Sequence, residues 1–222
     1  MELITRIILG APGFALAIML HESSHAFAAF KLGDPTGRNL GRVSLDPRRH
    51  LDPIGAIFYV ATMVLSGGRF AFGWAKPVLI NPFNFRDPRR DFMLSSLAGP
   101  AANMIQAFAW ALLLRGYLGI GRSAPQLLFQ PIAFMLLFGI VINVIIGIFN
   151  MIPVPPLDGS RLLAWMLPER YAYIIDRIEA SGVGMLIIFG LVFFVPQVWR
   201  TLSAVVIDPV IQFFLLHVAG AG

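Results

Sequence analysis

The feature that constrains this chain most is an apolar run of 24 residues, Ile7 to Phe30, in which His21, Glu22 and His25 are the only ionisable side chains. As a helix the run is roughly 36 Å long, enough to cross a hydrocarbon core of about 30 Å with some tilt. Ionisable groups at that depth are costly unless they bind or react. Residues four apart on a helix lie on one face. His21 and His25 therefore aim two imidazoles at one point, with Glu22 beside them. This H-E-x-x-H spacing is that of two zinc ligands and a general base. His25 lies five residues before Phe30, which sets the motif about 8 Å inside one end of the span.

The rest of the chain carries the same signature. It is 57% hydrophobic and 13% charged, with a mean hydropathy of +0.76, well outside the soluble range. The expected fold is an all-α polytopic membrane protein, one domain over residues 1–222 with its core at 7–165 and C-terminal helices at 183–218. The net charge of +5 and pI near 10.2 do not point to nucleic acid. The basic residues fall in short clusters between apolar runs, where membrane topology accounts for them. Cysteine is absent. That excludes disulfides, a thiol nucleophile and thiolate ligands, so a zinc site here must use histidine and carboxylate. The first run is too long for a signal-peptide core and is expected to remain in the mature protein.

Further apolar segments cover Pro53–Gly68, Phe92–Leu114, Leu127–Ile152, Val183–Trp199 and Leu202–Val218, giving four to six spans. The last is interrupted by Asp208 and Pro209, and either crosses or lies in the interface. Phe70 to Phe85 contains Gly73, Pro77 and Pro82 and reads as extended chain. Arg161 to Glu179 reads as a polar, partly helical loop. Pro53–Gly68 is only 16 residues, and the loops on either side of it each hold five Lys or Arg, against two in the turn Arg115–Pro125. If the segment crossed, two basic loops would face opposite sides, against the positive-inside tendency. A re-entrant segment between the first two full spans is favoured, with both basic loops cytoplasmic. Phe92–Leu114 then runs outward and Leu127–Ile152 returns, bringing Asp158 to the face that holds His21 and His25.

Asp158 is the expected third ligand. It follows Asn150-Met151-Ile152-Pro153-Val154-Pro155-Pro156-Leu157, where three prolines in four positions unwind the helix and freed backbone lines a cavity. Three protein ligands and one open position make a catalytic zinc site. Zinc lowers the pKa of its water towards 7, and Glu22 takes the proton and passes it to the leaving amine. The expected cofactor is one Zn²⁺ per chain, and the expected chemistry is water attack on an acyl bond, most plausibly a peptide. The competing class is a metal-binding membrane transporter or inactive scaffold. A transporter would repeat ligands along a path and show internal repeats, and none is seen. Asn103 and Asn143 read as interhelical hydrogen bonds, and His50 as an interfacial residue.

His21-Glu22-x-x-His25, Ala98-Gly99-Pro100-x-x-Asn103 and Asn150-x-x-Pro153-x-Pro155-x-Leu157-Asp158-Gly159 together resemble the site-2 protease family of intramembrane zinc metalloproteases. Gly41–Pro47 and Phe72–Pro77 look like its compact prokaryotic members, and the resemblance covers about residues 10–165. It implies zinc on His21, His25 and Asp158, Glu22 as base, and Asn150 as a donor to the substrate carbonyl. It also implies a transmembrane protein substrate within the lipid bilayer, in a prokaryotic cytoplasmic membrane with the site near the cytoplasmic face. The PDZ and CBS domains of larger members are not expected.

Overall fold

The computed structural model describes residues 2–68, 71–121 and 126–221. Helix α1 covers Leu3–Leu32 and is followed by two single turns, α2 (Thr36–Asn39) and α3 (Pro47–His50), and by α4 (Pro53–Leu65). Residues 71–80 are extended and lead into a 3₁₀ turn at Pro82–Asn84. The long helices α5 (Pro88–Gly121) and α6 (Gln126–Asn150) come next. They are followed by α7 (Gly159–Met166), α8 (Glu169–Ser181), α9 (Val183–Phe194) and a last helical run from Pro196 to Val218. Among the described residues no strand ladder forms, and the extended chain pairs through one antiparallel bridge, Leu51 with Ala75.

Four helical stretches are long and apolar enough to cross a membrane: Leu3–Leu32, Pro88–Ile120, Phe129–Asn150 and Gln197–Val218. The first three pack on one another, and small residues set how closely. A Cβ on Gly13 would lie 3.3 Å from the Gly139 Cα, so α1 and α6 touch backbone to backbone there, the way small residues let membrane helices approach. The sides facing away from the bundle carry Ile8, Ile105, Phe108 and Leu113, all exposed, while His21, His25, Ser95, Asn103 and Asn143 are buried inside. Polar groups inward and apolar ones outward is the arrangement a hydrocarbon solvent demands.

Contacts fix the helix directions. His25 meets Ser95 and His21 meets Asn103, so α5 runs antiparallel to α1. Asn103 meets Asn143, and a Cβ on Gly139 would strike the Trp110 ring, so α6 is antiparallel to α5 and parallel to α1. The connection from 33 to 87 therefore begins and ends at one end of the bundle. Helix α4 inside it has 13 residues, roughly 20 Å, short of a hydrocarbon core of about 30 Å. Asp52 caps it through the Ile54 and Gly55 amides at 2.9 and 3.0 Å. Tyr59 stacks on Phe14 and donates to the Ile7 carbonyl at 3.0 Å. The Leu51–Ala75 bridge then closes the excursion beside its starting point. Phe70, placed by the sequence at the start of the extended stretch, lies outside the described residues, as does Arg69.

Several sequence expectations are corrected. Helix α5 begins before Phe92 and continues past Leu114 to Gly121, so Arg115–Gly121 is helix and not turn; residues 122–125 of that expected turn lie outside the described residues. Arg161–Glu179 is mostly two helices, α7 and α8. The C-terminal break falls at Val195, not near Trp199–Leu202, because Pro196 starts the last run at a first-turn position where a missing N–H costs nothing. Asp208 and Pro209 do not interrupt that run. A π turn, Ser203–Ile207, precedes them, with the Asp208 N–H bonded to the Ser203 carbonyl. The widened register absorbs the donor that Pro209 lacks. Val183–Trp199 does not form a span, since α9 has only 12 residues. His50 is fully buried, its Nε2 2.7 Å from the Ser44 carbonyl, and is not an interfacial side chain.

Candidate metal centre

The three longest helices meet at the His21–His25 face of α1. The two Nε2 atoms lie 3.0 Å apart, and Asp158 Oδ2 lies 3.2 Å from one and 3.4 Å from the other. His21 and His25 are buried and Asp158 is nearly so. Tetrahedral zinc with bonds of about 2.0–2.2 Å separates its ligand atoms by roughly 3.3–3.5 Å, close to this triangle. Asp158 Oδ2 is buried without a hydrogen-bond donor, and an orphaned buried carboxylate oxygen is expensive unless a cation faces it. The three side chains could hold a metal ion.

The other nitrogen of each ring decides which protonation state faces that point. His25 Nδ1 donates to the Ser95 carbonyl at 2.8 Å. His21 Nδ1 donates to Asn103 Oδ1 at 2.6 Å. The orientation of that amide follows from its neighbours: Asn103 Nδ2 donates to the Ala17 carbonyl at 3.1 Å and to Asn143 Oδ1 at 2.9 Å. Asn143 Nδ2 in turn donates to the Gly139 carbonyl at 2.8 Å. The chain of donation runs from α1 through α5 to α6 and leaves the His21 proton on Nδ1. Both Nε2 atoms then present lone pairs, the form a metal takes.

Local sequence explains how Asp158 arrives. Helix α6 ends at Asn150, and residues 151–158 descend through short turns with a cis Pro155–Pro156 bond. Asp158 occupies the N-cap position of α7, yet its side chain caps nothing and is left to face the histidines. Gly159 sits so tightly against the Met151 and Ile152 backbone that a Cβ would come within 2.8 Å of the Ile152 carbonyl oxygen. Only glycine lets the turn close here. Asn150 is half-buried, and its Nδ2 donates to the Ile146 carbonyl one turn back at 3.0 Å.

Glu22 is half-buried beside His21, and its Oε2 accepts the Val78 N–H at 2.9 Å. The sequence reading missed this contact and the Ser95 carbonyl, because backbone groups carry no side-chain signature. It placed Asn103 between helices without linking it to His21. The available signal was a side-chain amide at the centre of an uncharged span.

The model for peptidase family M50 matches residues 113–195, the part that contains Asn150 and Asp158. "Putative zinc metalloprotease YwhC" of Bacillus subtilis is 33% identical over 193 residues, covering 85% of this chain and 83% of that protein. "Putative zinc metalloprotease Rip2" of Mycobacterium tuberculosis is 30% identical over 182 residues, 80% of this chain and 64% of that protein. "Putative zinc metalloprotease MJ0611" of Methanocaldococcus jannaschii is 34% identical over 73 residues, 32% of each chain. No solved structure matches. With a relative matched at this level along most of both chains, the protein belongs to peptidase family M50, the site-2 protease family, whose character is that of a membrane-embedded zinc metallopeptidase.

Proposed function

We propose that this chain hydrolyses peptide bonds within or near transmembrane segments of other membrane proteins, with His21, His25 and Asp158 holding one zinc ion and Glu22 serving as general base. The convergence of two Nε2 lone pairs and one orphaned carboxylate oxygen at membrane depth carries this reading. Bound there, zinc supplies the Lewis acidity that brings the pKa of a water towards 7. Glu22 takes the proton of the attacking water and delivers it to the nitrogen of the breaking C–N bond. A carboxylate has two oxygens, so Oε2 can stay on Val78 while the other carries the proton. The basic loops argue for this end of the bundle facing the cytoplasm, and the resemblance to compact prokaryotic members implies a prokaryotic cytoplasmic membrane. Tagged single-span proteins offered to wild type and to Glu22→Gln test the proposal.

Asn150 has a second amide proton beyond the one held by Ile146, and we assign it to the carbonyl oxygen of the bond being cut. Asn150→Ala is expected to lower turnover about 10²–10³-fold, the usual cost of one such donor, with zinc content and melting temperature preserved. Coordinated loss of zinc, stability and turnover in one preparation would make Asn150 structural.

Gly99 offers a second check on the zinc site. A Cβ there would lie 2.5 Å from His25 Cε1 and 2.7 Å from His21 Cε1. Cε1 stands between the two ring nitrogens, so moving it disturbs both the Nδ1 hydrogen bond and the Nε2 lone pair. Gly99→Ala is expected to weaken zinc retention against a chelator at least tenfold, the scale of damage to groups that orient ligands. Wild-type retention would show that α5 does not hold the rings in place.

A further inference from the structure

One carboxylate outside the metal centre is unusually well satisfied. Asp34, two residues past α1, is fully buried. Its Oδ1 accepts from the Thr36 N–H at 3.1 Å, the Thr36 hydroxyl at 2.5 Å and Asn84 Nδ2 at 2.7 Å. Its Oδ2 accepts from the Asn81 N–H at 2.8 Å. Burial pushes the carboxyl up, but the bonds from Thr36, Asn84 and Asn81 outweigh it and hold the group below its ordinary range, so the buried group is an anion. Asn81 and Asn84 bracket the turn that ends the extended segment.

Three residues before Asn81 is Val78, whose N–H reaches Glu22. The segment between lacks a strand partner to fix it. Upstream, its backbone contacts include the Leu51–Ala75 bridge, the Lys76 N–H on the His50 carbonyl at 2.7 Å, the Phe72 N–H on the Thr62 hydroxyl at 2.9 Å, and the Arg42 guanidinium on the Pro77 carbonyl at 3.4 Å. Helix α2 is wedged alongside. A Cβ on Gly37 would lie 3.0 Å from Ala26 Cβ and 3.2 Å from Val78 Cγ1, so the chain from Asp34 to Gly37 fits between the α1 motif and Val78.

We propose that Asp34 is a positioning residue that ties the 76–84 strap to the exit of α1 and thereby sets the Val78 N–H against Glu22. The proposal rests on the reading of Glu22 as the base. From Glu22 to the end of α1 at Leu32 is ten residues of helix, about 15 Å, and the strap bridges back from Asn81 to Val78 by roughly 10 Å of extended chain. Releasing the Asn81 end removes the hydrogen bond that holds this stretch just downstream of Val78. Glu22 then loses the donor that fixes its carboxylate plane, while the zinc ligands, none of which Asp34 touches, stay in place.

The test uses the full chain in lipid nanodiscs, with Asp34→Asn, Thr36→Val and Thr36→Ser. The readouts are zinc content, amide exchange at Val78 and Asn81 relative to the α1 interior, and kcat and KM on a tagged single-span reporter that wild type cuts and Glu22→Gln does not. Asp34→Asn turns one acceptor into an NH₂ facing donors. It is expected to speed exchange at Val78 and Asn81 and to lower kcat, each by about 10–100-fold, the scale of hydrogen bonds to a charged group. KM, zinc and α1 protection should hold. Thr36→Val should move the same way by less, and Thr36→Ser, which keeps the hydroxyl, should match wild type. Wild-type exchange and kcat in Asp34→Asn would overturn the proposal, as would loss of zinc together with α1 protection, which marks a general stability role. If Asp34→Asn does not fold, the Thr36→Val and Thr36→Ser pair decides by the same readouts. If no reporter separates wild type from Glu22→Gln, the protease reading fails, while exchange at Val78 still decides whether Asp34 sets the strap.

Discussion

Glu22→Gln is expected to keep its zinc and its fold and to lose cleavage by several powers of ten. Removing a positioned base is worth about 10²–10⁴ on its own, and the loss here should reach or exceed the top of that range. The proton that Glu22 accepts must also be delivered to the departing nitrogen, and an amide can do neither. The substitution is otherwise mild. The Glu22 carboxylate has one hydrogen bond among the described residues, from the Val78 N–H, and a glutamine oxygen can accept it. None of the distances that bring His21, His25 and Asp158 together involves Glu22. Zinc analysis, thermal melting and reporter cleavage on one preparation check the result. Undiminished hydrolysis by Glu22→Gln would sink the mechanism.

That comparison also separates a hydrolase from a metal carrier. A transporter needs the three ligands but has no use for a base one residue from them, so metal flux through it would be indifferent to the change. The structure favours the hydrolase for a second reason. Both imidazoles are locked by hydrogen bonds from Nδ1 to fixed acceptors on α5, which suits a metal that stays and does not suit one that is handed on.

What could be read from the sequence follows from what is costly in hydrocarbon. An ionisable group in an apolar run stands out because its burial needs a reason, so His21, Glu22 and His25 were visible at once. The loop charges placed Asp158 on the same end, and the helix directions agree. The centres of the three packed spans were also legible, since only length and apolarity were needed. Their ends were not: α5 extends beyond Phe92–Leu114 at both ends, because a helix held by neighbours runs past its apolar core. The C-terminal segmentation failed for a related reason. Pro209 reads as a break, yet the preceding π turn carries it, and such a register shift leaves no mark in composition. His50 and Asp34 were hidden by their setting. Both sit in polar, glycine- and proline-rich stretches where His and Asp are ordinary, and only tertiary contacts show that they are buried and bonded. The contacts that tune the site come largely from backbone groups, Ser95 O and Val78 N–H, which any residue could supply.

Asp158→Ala is expected to abolish activity through the metal and not through the fold. Groups that merely orient ligands cost 10–100-fold in metal affinity when removed, so loss of a direct ligand should exceed about 100-fold. Little in the structure makes Asp158 a stability element: its side chain does not cap α7, and its Oδ2 has no hydrogen bond. The 151–158 turns are closed by backbone bonds and by Gly159 against the Met151–Ile152 backbone, none of which needs the carboxylate. The melting temperature of the zinc-free variant should therefore not fall below that of zinc-free wild type, where the carboxylate is buried with no cation to face it. Asp158→Asn refines the point, since it keeps the shape and one oxygen but removes the charge. It should hold zinc more weakly than wild type and more tightly than alanine. Titrating zinc into all three proteins gives the order directly. Full zinc retention in Asp158→Ala would remove Asp158 from the ligand set and leave the His21–His25 pair to be completed by another group.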